Sequence, residues 1–209
     1  MARPITNVNK TILGALLGLV LLGSAAWAKA KMESKALAKP AASTKLETAT
    51  FAAGCFWGTE EFFRKLPGVK STAVGYTGGT TENPKYDEMH DGHTGHAESV
   101  ELQFNPQEIS YEKLLDNFFK MHDPTTLNRQ GNDEGNQYRS AIFYHGEVQK
   151  KIALAFKSKV EKSGAWKKPI VTEISEAKKF WMAEDYHQKY LIQNPGGYDN
   201  HYLRKISFN

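Results

Sequence analysis

Alternation of apolar and polar side chains is the clearest pattern in the chain, and it is strictest over residues 98–104. From residue 100 onward every second residue is apolar and the residues between are polar, which is typical of a strand with one buried face. The apolar row consists of Val100, Leu102 and Phe104. Short runs of small and apolar residues predict further strands at residues 48–53, 140–144 and 170–174.

Apolar residues at helical spacing occur between these strands, without regular alternation of strand and helix. Ser110 supplies an N-cap side chain for one helix, and Gly164 ends the longest one. An aromatic tail after Gly197 is expected to wrap the surface. This mixture predicts an α+β domain rather than a doubly wound sheet. The predicted helices cover residues 59–66, 110–122, 146–163 and 183–192.

The start of the chain has the composition of an export signal. Two basic residues precede an apolar run at residues 12–22, and small residues follow, which predicts a secretory signal peptide over residues 1–28. Cleavage is expected after Ala28 or Ala30. The alternative is an uncleaved membrane anchor, because residues 12–28 carry no charge and approach the length that spans a bilayer.

Residues 29–47 are rich in Ala and Lys and poor in large apolar side chains, so they are expected to form a flexible tether. Residues 48–209 then form the folded domain, which is expected to be exported to a bacterial periplasm. The first 47 residues hold seven of the 27 basic residues and two of the 23 acidic ones. Residues 48–209 therefore hold 20 basic and 21 acidic residues. A domain with this balance lacks the basic surface of a nucleic-acid-binding protein.

The chain has a single cysteine, Cys55, and therefore forms no internal disulfide. It lies between a predicted strand and a predicted helix, where free backbone N–H groups favour the thiolate. Flanking glycines allow close approach of a ligand, and Phe56 and Trp57 are able to wall a small apolar pocket. A buried core cysteine is the alternative. The context favours a nucleophile.

Glu98 begins the apolar row of the predicted strand at residues 98–104. A carboxylate in this phase is either an end residue that reaches solvent or a partly desolvated acid with a raised pKa. The alternation of side chains does not distinguish the two. Residues 83–87 and 128–139 are rich in hydrogen-bonding side chains, and Tyr138 immediately precedes a strand, where it is expected at the mouth of the sheet.

His90, His93 and His96 repeat every third residue and raise the possibility of a metal site. Two glycines interrupt this segment, and its spacing matches no common zinc signature. No bound metal is expected. The glycines around Tyr76 lack the lysine and the helix of a phosphate-binding loop, so no nucleotide cofactor is expected either.

Four blocks of the sequence together resemble the peptide methionine sulfoxide reductase A family. The resemblance runs from about residue 46 to about residue 200. It implies a two-layer, ferredoxin-like α+β fold with helices packed on a mixed sheet, and reduction of the S epimer of methionine sulfoxide, free or in proteins. The four blocks are residues 54–58, 95–98, 128–133 and 138–140.

The resemblance also implies a role for individual residues. Cys55 would be the nucleophile and Glu98 the proton donor, with Phe56 and Trp57 forming the pocket for the substrate methyl group. Two tyrosines would hold the sulfoxide oxygen, and one aspartate would organise the polar side of the pocket. The residues implied for these last roles are Tyr86, Tyr138 and Asp133.

This chain departs from the family in the means of recycling. Many members have further cysteines near the C-terminus, whereas here Asp199 follows Tyr198 and no second thiol exists. The Cys55 sulfenic acid formed in the reaction is therefore expected to be reduced by an external thiol. Glutathione with a glutaredoxin-like protein, or a thioredoxin-like reductase, would serve as co-substrate. The chain is expected to act as a monomer without a bound cofactor.

Two other functions compete with this interpretation. A thiol peptidase also places a cysteine at a helix N-terminus, and it would need His187 or His201 as its base. The other is a metal-binding module built on the three histidines described above.

Overall fold

A computed structural model describes residues 45–209. The predicted signal peptide and nearly all of the predicted tether lie outside the described residues. Within residues 45–209, no helix combines the length and the apolar character needed to cross a bilayer. The first strand begins at Glu47, the last residue assigned to the tether from the sequence, and pairs there with Phe104.

Six strands form one mixed sheet in the order β7-β6-β1-β3-β2-β8. All neighbouring strands are antiparallel except β6 and β7, which are parallel and joined through a helix. Strands β4 and β5 pair separately as a small hairpin. The strands are β1 (Glu47–Ala53), β2 (Val69–Thr77), β3 (Ala97–Phe104), β4 (Arg129–Gln130), β5 (Asp133–Glu134), β6 (Ser140–Tyr144), β7 (Glu173–Glu176) and β8 (Trp181–Met182).

The helices differ in length and in how they begin. Ser110 caps α3 by accepting the N–H of Lys113, and Gly164 ends α4 in the left-handed conformation, as the sequence predicts for both. Two short 3₁₀ turns cover Asn136–Tyr138 and Asp185–His187. The α-helices are α1 (Phe56–Arg64), α2 (Tyr86–His90), α3 (Tyr111–Met121), α4 (Glu147–Ser163) and α5 (Tyr190–Gln193).

The main core lies between one face of the sheet and helices α1, α3 and α4. Phe51 of β1 is its centre, with ring centroids 5.1 Å from Phe63 of α1 and 5.3 Å from Phe118 of α3. All three rings are fully buried. Leu102 and Phe104 of the apolar row predicted on β3 lie in this core, and Val100 lies in a neighbouring buried cluster with Phe56 and Tyr76. The mixed sheet with helices packed on it confirms the predicted α+β architecture.

Two predicted elements are wrong in detail. The helix predicted at residues 183–192 is replaced by a 3₁₀ turn and the short α5, because Lys189 adopts a left-handed conformation with φ +55°. The strand predicted at residues 170–174 begins later, at Glu173, where pairing with β6 starts. The elements that the sequence did not predict are strands β2, β4, β5 and β8 and helix α2.

Antiparallel pairing brings several chain ends to one edge of the sheet. The end of β1 lies beside the starts of β3 and β6, and the end of β2 lies beside the start of β3. Residues that follow β1, begin β3 or precede β6 therefore meet there, together with the loop that leaves β2. The predicted site residues at this edge are Cys55, Tyr86, Glu98 and Tyr138.

Candidate active site

Cys55 lies in the strand-to-helix turn after β1, as the sequence predicts. It is the N-cap residue of α1, because the helix begins at Phe56 and not at residue 59 as predicted. Its side chain is buried, with 8% of the residue exposed. The turn that aims it depends on Gly54, which has φ +96° and packs so closely that a Cβ there would lie 2.6 Å from the Cβ of Gln130. Only glycine adopts this conformation without strain and leaves room for the neighbouring chain.

The resting form of Cys55 differs from the thiolate that its place on the helix suggests. Burial raises the pKa of the thiol well above its usual range, and Glu98 raises it further once its own carboxyl has ionised. The N–H groups of Trp57 and Gly58 lower the pKa, which is the predicted helix effect, but they are outweighed. Cys55 therefore rests as a protonated thiol.

Glu98 is 2% exposed and accepts a hydrogen bond of 3.0 Å from the backbone N–H of Phe56, the residue after Cys55. Burial raises the pKa of its carboxyl to about 8, although the Phe56 N–H lowers it, and the charge of Asp133 adds to the rise. The sequence left open whether Glu98 reaches solvent or is desolvated. It is a desolvated acid that holds its proton at neutral pH.

Two tyrosines flank the thiol and the acid. Tyr86 begins α2, and Tyr138 ends the 3₁₀ turn before β6. Burial followed by the charge of Glu98 raises the pKa of Tyr86 to about 12, and the same causes raise the pKa of Tyr138. Cys55 contributes to both shifts. Both hydroxyls therefore remain protonated and able to donate.

Asp133 lies on β5, at the polar side of this group. Its carboxylate accepts hydrogen bonds from the Tyr198 hydroxyl at 3.1 Å and from Asn200 Nδ2 at 3.0 Å. Its charge acts on both Cys55 and Glu98, raising the pKa of each. Asp133 thus belongs to the same electrostatic unit as the thiol and the acid.

Aromatic rings form the apolar side of the site. The Phe56 ring is buried, and Trp57 stacks on Tyr190 with centroids 3.8 Å apart. Trp57 Nε1 donates to His187 Nδ1 at 3.0 Å, and the His187 ring packs 5.1 Å from Phe56 and 4.4 Å from Tyr86. Together these contacts fix the orientation of the indole.

Tyr190 was not predicted as a site residue, and His187 was considered only as the base of a peptidase and not as part of the aromatic wall. They belong to residues 183–201, which we call the pocket segment, and the pocket segment was interpreted as a helix followed by a surface tail. Its aromatic residues at positions 186, 187 and 190 were the available signal. Their distance along the chain from Trp57 concealed the contact.

Neither histidine proposed as a peptidase base bonds to Cys55. His187 Nδ1 is occupied by Trp57, and burial lowers the pKa of His187. His201 Nε2 lies 2.6 Å from the carbonyl oxygen of Ala53, and its Nδ1 lies 3.1 Å from Asp199 Oδ1. Both rings are held by partners other than the thiol.

The predicted histidine cluster is also engaged elsewhere. His96 Nδ1 accepts the backbone N–H of Gly79 at 3.0 Å, and its Nε2 lies 2.7 Å from the carbonyl oxygen of Thr81. Across residues 45–209, no three His, Cys, Asp or Glu side chains are grouped so that they could hold a metal ion. The histidines at 90, 93 and 96 thus give no geometric support to a metal-binding module.

The site combines a buried thiol, a protonated acid, two hydroxyl donors and an aromatic wall. A thiol that attacks an electrophile needs a proton donor where a poor leaving group departs, and this arrangement provides one beside an apolar surface. It suits a small polar group with an apolar substituent. No residue of the set is arranged as the base of an acyl-transfer triad.

Comparison with known proteins agrees with this chemistry. The family model for peptide methionine sulfoxide reductase matches residues 47–207. The chain is similar to MsrA of Methanosarcina acetivorans, with 61% identity over 146 residues, which are 70% of this chain and 78% of that protein.

Solved structures give the same result. Mxr1 from Saccharomyces cerevisiae in reduced form matches with a TM-score of 0.73 and 40% identity, covering 80% of this chain and 95% of that one. Mxr1 in complex with Trx2 matches with a TM-score of 0.53 and 29% identity, covering 81% and 97%. The chain therefore belongs to the peptide methionine sulfoxide reductase A family and is a thiol-dependent peptide-methionine (S)-S-oxide reductase.

Proposed function

We propose that Cys55 attacks the sulfur of methionine S-sulfoxide while Glu98 gives a proton to the sulfoxide oxygen. One observation carries this proposal. The buried Glu98 carboxyl, with a pKa of about 8, bonds to the N–H of Phe56, the residue after Cys55. A sulfoxide oxygen is a poor leaving group until it is protonated, so an acid that keeps its proton at neutral pH supplies what the attack requires.

Cys55 and Glu98 together supply the protons and the electrons that the reduction requires. The Glu98 proton passes to the sulfoxide oxygen, and the Cys55 sulfur bonds to the substrate sulfur as the thiol proton passes to the Glu98 carboxylate. The hydroxyl then moves to the Cys55 sulfur and the bond between the two sulfurs breaks. Methionine leaves with two electrons gained, and Cys55 remains as a sulfenic acid with two electrons lost.

The surrounding residues orient the substrate in this proposal. Phe56 and Trp57 take the methyl group, and the geometry that fixes the indole makes this wall rigid. Tyr86 and Tyr138 donate to the sulfoxide oxygen, because their raised pKa values keep them protonated. Asp133 holds the polar side. Methyl and oxygen are then bound at different places, which selects one epimer.

An external thiol completes the cycle. Cys55 is the only cysteine in the sequence, so its sulfenic acid has no internal partner. The attacking thiol forms a mixed disulfide with Cys55 and releases water, and a second thiol restores Cys55 and leaves as a disulfide. Yeast Mxr1 has been solved with Trx2. A thioredoxin-like protein, or glutathione with a glutaredoxin-like protein, is the corresponding partner proposed here.

We further propose that the enzyme works after export, in a bacterial periplasm. The support is the sequence pattern of residues 1–28, and attachment to the membrane would follow only if that segment is not cleaved. We also propose that it acts as a monomer.

An assay that separates the two epimers tests the proposed function. Purified protein is given dabsyl-methionine S-sulfoxide or R-sulfoxide with dithiothreitol, and the product is measured by chromatography. We expect reduction of the S epimer only, and none by Cys55→Ser. Equal reduction of both epimers, or product formed by Cys55→Ser, would overturn the proposal.

Recycling is tested by omitting the reductant. One equivalent of methionine is expected per protein, with a dimedone adduct on Cys55 detected by mass spectrometry. Adding glutathione with glutaredoxin, or thioredoxin with its reductase, then identifies which thiol system restores turnover. Failure of both systems, while dithiothreitol works, would contradict these two donors.

A further inference from the structure

Glu184 joins three parts of the fold at the edge of the active site. Its Oε2 accepts the hydroxyl of Tyr76 at 2.9 Å, and its Oε1 accepts the backbone N–H of Tyr86 at 3.1 Å. Tyr76 lies on β2 and Tyr86 begins α2, whereas Glu184 belongs to the pocket segment. One carboxylate therefore fixes the position of α2 relative to the sheet.

Tyr86 depends on this anchor more than a residue inside a long helix would. Helix α2 has only five residues, too short to be stable without tertiary contacts. The Tyr86 ring rests between two histidine rings, 4.4 Å from His187 and 4.7 Å from His90. Because Tyr86 is the first residue of α2, its backbone N–H has no partner within the helix, and Glu184 accepts this hydrogen bond instead.

The other end of the bridge is rigid. Tyr76 is fully buried, pairs with Glu98 across β2 and β3, and packs with its ring 5.8 Å from Phe56. Its hydroxyl gives the bridge an anchor inside the site. Burial raises the pKa of Glu184. Hydrogen bonds from its own backbone N–H, the Tyr86 N–H and the Tyr76 hydroxyl outweigh burial, so the pKa lies below its usual value. An ionised carboxylate accepts from both partners at once.

We propose that Glu184 is a positioning residue, which holds the hydroxyl of Tyr86 in register with Cys55 and Glu98 by anchoring the start of α2. The inference rests on the proposed role of Tyr86 in binding the sulfoxide oxygen. Glu184 itself contacts no reacting atom. A displacement of about 1 Å at such a donor is enough to slow a reaction strongly.

The test measures single turnover of methionine S-sulfoxide without reductant, by rapid quench. Glu184→Ala is expected to lower the rate constant about tenfold, because both bonds of the bridge are lost. Glu184→Gln is expected to stay within about twofold, since its amide oxygen accepts from Tyr86 and its amide nitrogen donates to the Tyr76 oxygen. Glu184→Asp keeps the charge but is too short to reach both partners, so a loss of about fivefold is expected.

A double-mutant cycle with Tyr86→Phe separates positioning from general packing. If Glu184 acts through the Tyr86 hydroxyl, Glu184→Ala in the Tyr86→Phe background slows the reaction less than about twofold further. Glu112→Gln is the matched control, because this acid is exposed on α3 and lies outside the pocket segment, and we expect its rate to be unchanged.

Three results would overturn the inference. One is a rate loss from Glu184→Ala that is equally large in both backgrounds, and another is the absence of loss in both Glu184→Ala and Glu184→Asp. The third is a normal rate for Tyr86→Phe, which would remove the proposed role of Tyr86 as well. In the second case, a slow Tyr86→Phe beside the normal Glu184 variants rejects Glu184 alone and leaves the proposed function standing.

Discussion

The scaffold and the pocket segment are held in place by different forces. In the scaffold, strands β1 and β3 and helices α1, α3 and α4 bury a continuous apolar cluster. The pocket segment has little regular structure and is fastened by individual polar contacts. Gln188 bonds to both backbone groups of Val74, and Lys189 bonds through its N–H and its ammonium to the buried Glu60.

This difference separates stability from recognition. Apolar burial is non-directional, so the scaffold provides free energy of folding and a fixed edge that carries Cys55 and Glu98. Hydrogen bonds are directional, so the pocket segment sets the orientation of Trp57 and Tyr86 through His187 and Glu184. Changes in the scaffold are expected to alter unfolding, whereas changes in the pocket segment are expected to alter substrate binding.

The largest expected effect is a loss of stability in the scaffold that leaves the rate of the reaction nearly unchanged. Phe119 of α3 is fully buried, with its ring 5.1 Å from Phe118 and 6.0 Å from Phe156. Phe119→Ala should lower the free energy of unfolding by about 3 to 5 kcal/mol, measured by urea denaturation, because it leaves a cavity. At a temperature where the variant is folded, kcat and KM should stay within about threefold.

Leu154→Ala on α4 is the control for this prediction, because Leu154 is 51% exposed and its removal leaves no cavity. Its free energy of unfolding should change by less than about 1 kcal/mol. A large loss of kcat in folded Phe119→Ala would show that the scaffold and the chemistry are not separable.

The scaffold was the part that its own residue pattern predicted well. The alternation that starts at Glu98 placed this carboxylate in the buried row of β3, and Ser110 and Gly164 marked helix ends correctly. These are local signals. Whether Glu98 was desolvated depended on burial and on the N–H of Phe56, 42 residues away, which local periodicity does not contain.

The pocket segment was predicted poorly for the same reason. Its apolar residues have helical spacing, but Lys189 is held in a left-handed conformation by Glu60, 129 residues away in the chain. The roles proposed for Tyr86, Tyr138 and Asp133 came from the family resemblance and not from periodicity. His187 and Glu184 required the folded chain, because their partners are on β2, α1 and α2.

Glu98, which β3 of the scaffold holds in the site, gives the second largest expected effect. Glu98→Gln should slow single-turnover reduction by about a hundredfold, equivalent to roughly 2.7 kcal/mol on the barrier, because the amide has no proton to give. The raised pKa of about 8 fixes the sign of the pH dependence. In the proposed mechanism the active form is the one with Glu98 protonated, so the wild-type rate should fall as pH rises through about 8.

Glu98→Gln should lose this fall in rate at alkaline pH, since the titrating group is gone. Rapid-quench measurements from pH 6 to pH 10 in the absence of reductant avoid titration of the recycling thiol. Near-normal turnover by Glu98→Gln would remove Glu98 as the proton donor. A decline at alkaline pH that persists in the variant would assign the titration to another group.

The smallest expected effect is in the pocket segment. The side chain of Gln188 accepts the N–H of Val74 at 3.0 Å and donates to the carbonyl oxygens of Val74 and Ala183 at 2.9 and 3.0 Å. Gln188→Ala removes all three bonds and loosens the stretch that carries His187. A loss of about 1 kcal/mol in substrate binding, or about a fivefold rise in KM, should follow while kcat changes little.

Gln107→Ala is the control, because Gln107 is exposed on the loop between β3 and α3, and within residues 45–209 its side chain makes no hydrogen bond. Hydrogen exchange should speed up at residues 183–190 in Gln188→Ala and remain unchanged in the scaffold strands. If Gln188→Ala lowered the free energy of global unfolding as much as Phe119→Ala does, the pocket segment would be part of the scaffold. An unchanged KM with faster exchange would mean that Trp57 keeps its orientation without the Gln188 bonds. Its stacking on Tyr190 and its hydrogen bond to His187 would then be the contacts that define the pocket.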